Sequence, residues 1–283
     1  MARTQNRMDR ALLRGFEKVS VPVLDALNTR QPIKSALFGS IGRFNARWIT
    51  WTTGNLWQVA GIDPLRDLDA PRGVILASNH RSFFDMFVAS TVLVRDTHLV
   101  QRVTYPVRSD FFYTHPMGLV LNVAMSGASM WPPVFRDDRR RQLNPTGLDQ
   151  LADMLQRGSI VGFHPEGTRN KSPDQYTFLP ARAGLGALVQ ACDSTTLVLP
   201  FFIAGLSNQA GREVRRNFAR PGQRGEPVRL RFGAPVSCEV LRGSVAKGGS
   251  EAAALAISQT VMATIHDLGQ QDKRLRAIDP RPA

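Results

Sequence analysis

Cysteine is nearly missing: Cys192 and Cys238 are the only two in 283 residues. That excludes a disulfide framework, and their separation excludes a zinc site, so a reducing compartment is the default. No apolar stretch is long enough to span a bilayer, which takes about 20 predominantly apolar residues. Gly, Thr, Asn, Gln and Arg interrupt every candidate window. No apolar run follows the first basic residues as a secretory signal would require. Internal repeats are absent, as are helix-turn-helix, RNA-recognition and zinc-finger signatures. Acidic residues are also scarce, 23 Asp and Glu against 36 Lys and Arg, for a net charge of +13. Such an excess asks for an anionic partner, and charge alone does not choose among nucleic acid, a phospholipid surface and a phosphorylated substrate. The missing nucleic-acid signatures favour the last two.

What is present begins with Gly73-Val74-Ile75-Leu76-Ala77, short, apolar and β-branched, the pattern of a strand buried on both faces. The chain turns polar at Ser78-Asn79-His80, and from Ser82 onward Phe83, Met86, Phe87, Ser90 and Thr91 recur at helical spacing. Ser82 is the expected N-cap, with Asp85 three residues on as in a capping box. His80 therefore falls in a strand-to-helix turn with a carboxylate close by. A carboxylate at one imidazole nitrogen fixes the tautomer and leaves the other nitrogen to take a proton. Two readings stay open on this motif alone. One is a general base with its orienter; the other is a helix-start carboxylate worth about 0.3–1 kcal/mol beside an ordinary loop histidine.

A second polar loop, His164-Pro165-Glu166-Gly167-Thr168-Arg169-Asn170, follows a second apolar strand, Ser159 to Phe163. Pro165 presets a turn and Gly167 permits backbone angles closed to other residues, so the loop should be stiff with exposed amides. Thr168 and Arg169 supply a hydroxyl and a forked cation, groups suited to a phosphate monoester.

Together these loops resemble the glycerolipid acyltransferase family, which includes lysophosphatidic acid and glycerol-3-phosphate acyltransferases. Asn79-His80-Arg81-Ser82-Phe83-Phe84-Asp85 is similar to the family's first block, Asn-His-x-x-x-x-Asp, and Pro165-Glu166-Gly167-Thr168-Arg169 to its third. Val134-Phe135-Arg136-Asp137 resembles the second block and Leu199-Pro200-Phe201-Phe202-Ile203 the fourth, with Phe178, Arg182 and Gly184 between the last two. The four blocks stand in the family's order across roughly residues 70 to 235. His164 departs from the aromatic usual before the proline, and Pro132-Pro133 from the usual aliphatics of the second block. Arg81, a basic residue after the histidine, looks more like the glycerol-3-phosphate enzymes than the lysophosphatidate enzymes, which more often carry Gln.

The resemblance implies direct acyl transfer. His80 would deprotonate the acceptor hydroxyl and Asp85 would orient the imidazole and stabilise its cation. The acceptor is expected to be a lysophospholipid, 1-acyl-glycerol-3-phosphate, with glycerol-3-phosphate or another lipid alcohol or amine as the alternative. The donor is acyl-CoA or acyl-carrier protein as co-substrate, with no bound cofactor and no metal. Arg136, Thr168, Arg169 and Arg182 would hold the acceptor phosphate. Glu166 and Gly167 complete that binding loop, Glu166 by accepting backbone or arginine hydrogen bonds. Asn79, Arg81, Ser82 and Pro200 are supporting residues, and amides at the Ser82 helix start are the expected oxyanion donors. His98, His115 and His266 read as structural. A non-catalytic lipid-binding protein of the membrane surface is the rival reading.

Interleaved helices and short strands imply an α/β fold, a mixed, mostly parallel sheet flanked by helices, with an N-terminal amphipathic helical appendage. Three regions are expected: residues 1–65 as amphipathic helices anchoring to an anionic membrane surface, 66–240 as the catalytic domain, and 241–283 as linker, helix and disordered tail. Met8, Leu12, Phe16, Val19, Val23 and Leu27 should form one apolar stripe, and Pro22 should kink or divide that helix. Phe38, Phe44, Trp48, Trp51 and Trp57 follow in a second helical stretch beside Arg43 and Arg47. Helices of this kind lie in the interface with Trp at headgroup depth, placing the protein peripherally on the cytoplasmic face; packing on the catalytic domain is the alternative. Val228 to Phe232 alternates like an edge strand, and Arg139 to Arg141 should face water or headgroups.

Overall fold

The computed structural model describes residues 8–99, 102–245 and 251–278. Eight strands form one sheet: β1 (Trp57–Ala60), β2 (Val74–Ser78), β3 (Val103–Arg108), β4 (Met130–Val134), β5 (Ile160–Phe163), β6 (Leu197–Ala204), β7 (Val228–Phe232) and β8 (Val236–Ser237). Their order is β1-β7-β6-β2-β5-β3-β4, with β8 also paired to β6. Only the β6–β7 and β6–β8 pairs are antiparallel. The helices are α1 (Glu17–Thr29), α2 (Gln31–Leu37), α3 (Arg43–Thr53), α4 (Asp85–Asp96), α5 (Ser109–Phe112), α6 (Pro116–Ser126), α7 (Asn144–Gln156), α8 (Gly184–Ala191), α9 (Ala210–Asn217), α10 (Cys238–Gly243) and α11 (Glu251–Ile278). The mixed, mostly parallel sheet flanked by helices, with a helical N-terminal region, is the expected fold.

β2 is buried along its whole length because both of its faces are covered. Val74 and Leu76 point into a core shared with Val88, Val92 and Leu93 of α4. Ile75 and Ala77 point the other way, into a core with Leu151 and Leu155 of α7, Leu188 of α8 and Ile257, Val261 and Ile265 of α11. The two-residue period thus feeds both layers at once. α8 and α11 approach so closely at Gly186 that a Cβ there would lie 1.8 Å from the Ala254 carbonyl oxygen. Any side chain at that position would force the helices apart. β4 pairs only with β3 at the sheet edge, which is where Pro132 and Pro133 can be tolerated, since proline cannot donate to a second neighbour.

Several expectations are corrected. α1 runs unbroken from Glu17 to Thr29 with Pro22 inside it. The Lys18 carbonyl, which Pro22 cannot serve, lies 3.4 Å from Arg10 Nη2. The face that α1 buries is not the expected stripe, for Val19 and Val23 are exposed while Glu17, Ser20, Val21, Leu24 and Asn28 are buried. Polar bonds seat it: Ser20 Oγ donates to the Tyr113 carbonyl at 2.7 Å, Asn28 Nδ2 to the Ala128 carbonyl at 2.8 Å, and Arg140 pairs with Glu17 at 2.6 Å. Arg140 is thereby turned inward rather than toward water. Trp57 belongs to β1, a strand, and not to the second helical stretch.

β7 is internal, between β1 and β6, and Arg229 in it is 4 % exposed. The reason lies at the C-terminus. Instead of fraying after Gln270, α11 continues to Ile278 and brings Asp272 within 2.8 Å of Arg229 Nε and 2.9 Å of the Tyr176 hydroxyl. The linker expected from residue 241 is α10 at its start, and residues 246–250 lie outside the described residues. Asp272→Ala would leave the Arg229 guanidinium buried without its counter-ion, a loss of about 3–5 kcal/mol. Urea unfolding should show the midpoint falling with the slope unchanged.

Candidate active site

β2 lies between β5 and β6, all three parallel, so the segments leaving their C-terminal ends emerge side by side. That is the edge at which parallel sheets place ligands. Three polar side chains, the buried Asn79 and Glu166 and the exposed Asn208, tie these segments together. Asn79 closes both ends of its amide on Ile203, accepting from the backbone N–H at 2.9 Å and donating to the carbonyl at 2.8 Å. Glu166 accepts from the His80 N–H at 2.5 Å with one oxygen and from the Leu179 N–H at 2.8 Å with the other. Asn208, after β6, accepts from the Phe83 N–H at 2.8 Å and from Arg169 Nη1 at 2.7 Å. The Asn170 N–H donates to the His80 carbonyl at 2.7 Å, so the backbone of His80 is held on both sides by the second loop.

Asp85, the first residue of α4, is fully buried. Its Oδ2 accepts from the Arg81 and Ser82 N–H groups at 2.7 Å each and lies 3.2 Å from His80 Nδ1. The capping and acid–base readings of this motif are therefore compatible, since one oxygen serves both. The Ser82 hydroxyl does not bond the Asp85 amide as a full capping box would; it donates to the Ser207 carbonyl at 2.8 Å and accepts from the Phe84 N–H at 3.2 Å. With Nδ1 facing the carboxylate, His80 carries its proton there and keeps Nε2 as the acceptor.

Burial raises the Asp85 carboxyl to about 6, opposed by the nearby His164, the two amides and Arg81. Burial also lowers His80 to about 3, reinforced by the Arg169 and Arg136 guanidiniums, while the Ser82 amide acts in the other direction. At neutral pH the pair is thus an ionised carboxylate and a neutral imidazole. His164 stacks on His80 with ring centroids 3.8 Å apart and planes 9° apart. Its Nδ1 lies 3.1 Å from the Asn79 carbonyl, and burial, then His80, lower it to about 3.

His80, Asp85 and His164 bring three ligand-type atoms within 4.8 Å of one another. A metal would have to sit in the plane of both rings at about 2.0–2.1 Å from each nitrogen. Parallel stacked rings aim their lone pairs side by side rather than at one point, so this cluster suits proton transfer better than metal binding.

The basic residues expected at the site gather around the second loop. Gly167 adopts a φ of +66°. Arg136 Nη2 donates to its carbonyl at 2.7 Å, and the Arg182 side chain lies over it, where a Cβ would meet Cδ at 2.9 Å. Arg136, Arg169 and Arg182 have no ion-pair partner among the described residues. Thr168 beside them is half-buried. Glu166, expected as part of the binding loop, is 1 % exposed with both oxygens engaged by backbone, so it frames the site and does not face a ligand. Pro200 sits within β6 opposite Ala77, away from the strand end.

The amides at the start of α4 are also accounted for. Those of Arg81 and Ser82 go to Asp85, that of Phe83 to Asn208, that of Phe84 to Ser82 Oγ and that of Asp85 to the Ser82 carbonyl. They cannot serve as oxyanion donors without breaking the turn. Asn208 went unnoticed in the sequence because it stands in a polar segment with no pattern of its own; only the end of β6 puts it beside Arg169.

Histidine-selective nitrogen-15 NMR should show His80 and His164 as neutral tautomers at pH 5, with Nδ1 of His80 protonated. An imidazolium signal for either at that pH would contradict the burial and arginine effects described.

A family model described as Acyltransferase matches residues 58–204, the span from β1 to the end of β6. No curated protein matches the chain at a significant level.

Proposed function

The chain belongs to the acyltransferase family, whose domain supports acyl transfer to a glycerolipid-type acceptor, and on that premise we propose that it acylates 1-acyl-glycerol-3-phosphate to phosphatidic acid. The observation that carries this reading is the His80–Asp85 pair flanked by unpaired arginines. Nε2 of His80 takes the proton of the acceptor hydroxyl as its oxygen bonds to the thioester carbonyl carbon. Asp85 stabilises the imidazolium that results. The tetrahedral intermediate collapses, the C–S bond breaks, and the thiolate leaves with the proton returned by His80. No protein nucleophile is required.

The acceptor phosphate is assigned to Arg136, Arg169 and Arg182, with Thr168. This assignment has an electrostatic consequence. Arg169 and Arg136 are the cations that hold His80 down. A phosphate bound between them neutralises both, and the base moves toward the pKa near neutrality at which general-base catalysis is most effective. An acceptor lacking phosphate would leave His80 a weak base.

His80→Ala should lower kcat by roughly 100- to 10,000-fold, the range for loss of a general base. Arg136→Ala should instead raise the acceptor KM. The acid limb of kcat/KM should fall near pH 6, because the Asp85 carboxylate is present above that value and is lost as pH drops through it. Purified protein with labelled acyl-CoA and a panel of lysophosphatidate, glycerol-3-phosphate, lipid alcohol and amine acceptors, read by mass spectrometry, tests the assignment. Full turnover by His80→Ala would sink it, and preference for glycerol-3-phosphate would move the acceptor.

We further propose that the protein works peripherally on an anionic membrane surface, on its cytoplasmic face. No helix among the described residues is long and apolar enough to cross a membrane. What supports surface binding is one face of α3, where Phe44, Trp48 and Trp51 are all more than half exposed. Trp51 meets Phe218, also exposed, at 5.2 Å between ring centroids, and Arg43 and Arg47 share the helix. Aromatic rings beside arginines match the headgroup region of an anionic leaflet. Replacing Trp48 and Trp51 together by Ala should weaken binding to phosphatidylglycerol vesicles roughly tenfold or more, since each aromatic contributes on the order of 1 kcal/mol on burial. Vesicle co-sedimentation measures this, and an unchanged melting temperature would confirm an intact fold.

A further inference from the structure

His164 takes no proton in the chemistry described above, yet its ring makes the closest aromatic contact among the described residues. It lies parallel to the ring of His80, with centroids 3.8 Å and planes 9° apart. Asp85 meets His80 at one edge, 3.2 Å from Nδ1, and so decides which nitrogen carries the proton. An edge contact does not by itself set the tilt of the ring. What lies against the face does, and that place is taken by His164.

His164 is itself fixed. It precedes Pro165, which disfavours helical angles for its backbone, and its carbonyl accepts from the Gly167 N–H at 3.0 Å. Its Nδ1 faces three oxygens: the Asn79 carbonyl at 3.1 Å, the Ser78 carbonyl at 3.2 Å and Ser78 Oγ at 3.2 Å. The Ser78 hydroxyl gives its own proton to the Asn79 carbonyl at 2.9 Å, so all three oxygens accept and Nδ1 of His164 is the donor. Both carbonyls belong to the two residues just before His80. The ring that covers His80 is thus tied to the same stretch of backbone from which His80 projects, and a shift of that turn carries both rings together. A phenylalanine could lie flat on His80 but has no nitrogen for those carbonyls. An asparagine could serve the carbonyls but has no ring.

We propose that His164 is a positioning residue for the base: its tied ring sets the plane of the His80 imidazole, and with it the direction in which Nε2 meets the acceptor hydroxyl. The stack also suits the charge that forms there. Burial, then His80, lower His164 to about 3, so it stays neutral and the imidazolium formed on His80 meets no second cation against its face. The proposal rests on the acyl-transfer reading above and adds a residue that acts through its base.

The test compares His164→Ala, His164→Asn and His164→Phe in the full chain. Each variant is followed by steady-state kinetics with acyl-CoA and lysophosphatidate, by carbon-13 relaxation of the His80 ring, which needs no turnover, and by melting temperature. Alanine and asparagine should lower kcat roughly 10- to 100-fold, the effect of displacing a reacting group by about 1 Å, with both KM values unchanged. In these two variants the His80 ring should gain nanosecond motion. Phenylalanine should keep most of kcat and a rigid His80 ring. If alanine melts below the assay temperature, asparagine carries the same comparison. Full kcat without a ring at position 164 overturns the proposal, and so does a His80 ring as rigid in those variants as in the wild type. An equal loss of kcat in all three overturns it too, as does a rise in KM at unchanged kcat, which would make His164 a substrate contact. Ring motion appearing as stated, together with no acyl transfer by the wild type to any acceptor, would keep His164 as the support of His80 and remove the reaction.

Discussion

One buried carboxylate oxygen sets the geometry of the whole site. Asp85 Oδ2 gathers the Arg81 and Ser82 amides and faces His80 Nδ1, so the turn after β2, the start of α4 and the tautomer of the imidazole are decided by a single acceptor. Burying that charge is costly, which is why the carboxyl titrates high despite its two amide donors. The cost is offset by the hydrogen bonds themselves, and the result is a carboxylate that cannot move without unwinding the turn. A histidine attached to such an anchor presents its free nitrogen in one direction.

Around that anchor, function depends on side chains that fasten one segment to another. Asn79, Glu166 and Asn208 each bond across segments far apart in sequence, joining β2 to β6, the first loop to the second, and Arg169 to the start of α4. Asn79 and Glu166 are buried, and polar groups in the interior are stable only when their donors and acceptors are met, which also makes them rigid. The stacked rings of His80 and His164 belong to the same frame, the second ring being held by backbone carbonyls of the first loop. Preorganisation of this sort lets a base act without reorganising its surroundings during the reaction.

The parts legible in the sequence were those whose signal is local. β2 and β5 are short apolar runs, and α4 shows helical spacing from Phe83 onward. His80 and Asp85 are close in the chain, so their meeting follows from one turn. What was misread depended on distant partners. Arg140 lay in a charge run that looked solvated, yet Glu17 draws it in from more than a hundred residues away. β7 alternated like an edge strand, but its second face is covered by α11, and Arg229 is acceptable there because Asp272 meets it. α1 buries polar Ser20 and Asn28 in place of Val19 and Val23, since carbonyls near Tyr113 and Ala128 offered partners that no periodicity reveals.

The chain alone determined the acid–base pair, the α/β class, the cationic character of the second loop and the order of blocks that marks the family, because each is written in neighbouring residues or in residue type. Tertiary structure decided the division of labour. It gave the Arg81 and Ser82 amides to Asp85 and put Asn208 beside Arg169. The physical reason is that charge and hydrogen-bonding capacity are carried by residue type, whereas the partner that satisfies or spares them is chosen by the meeting of strand ends, which only the folded sheet arranges.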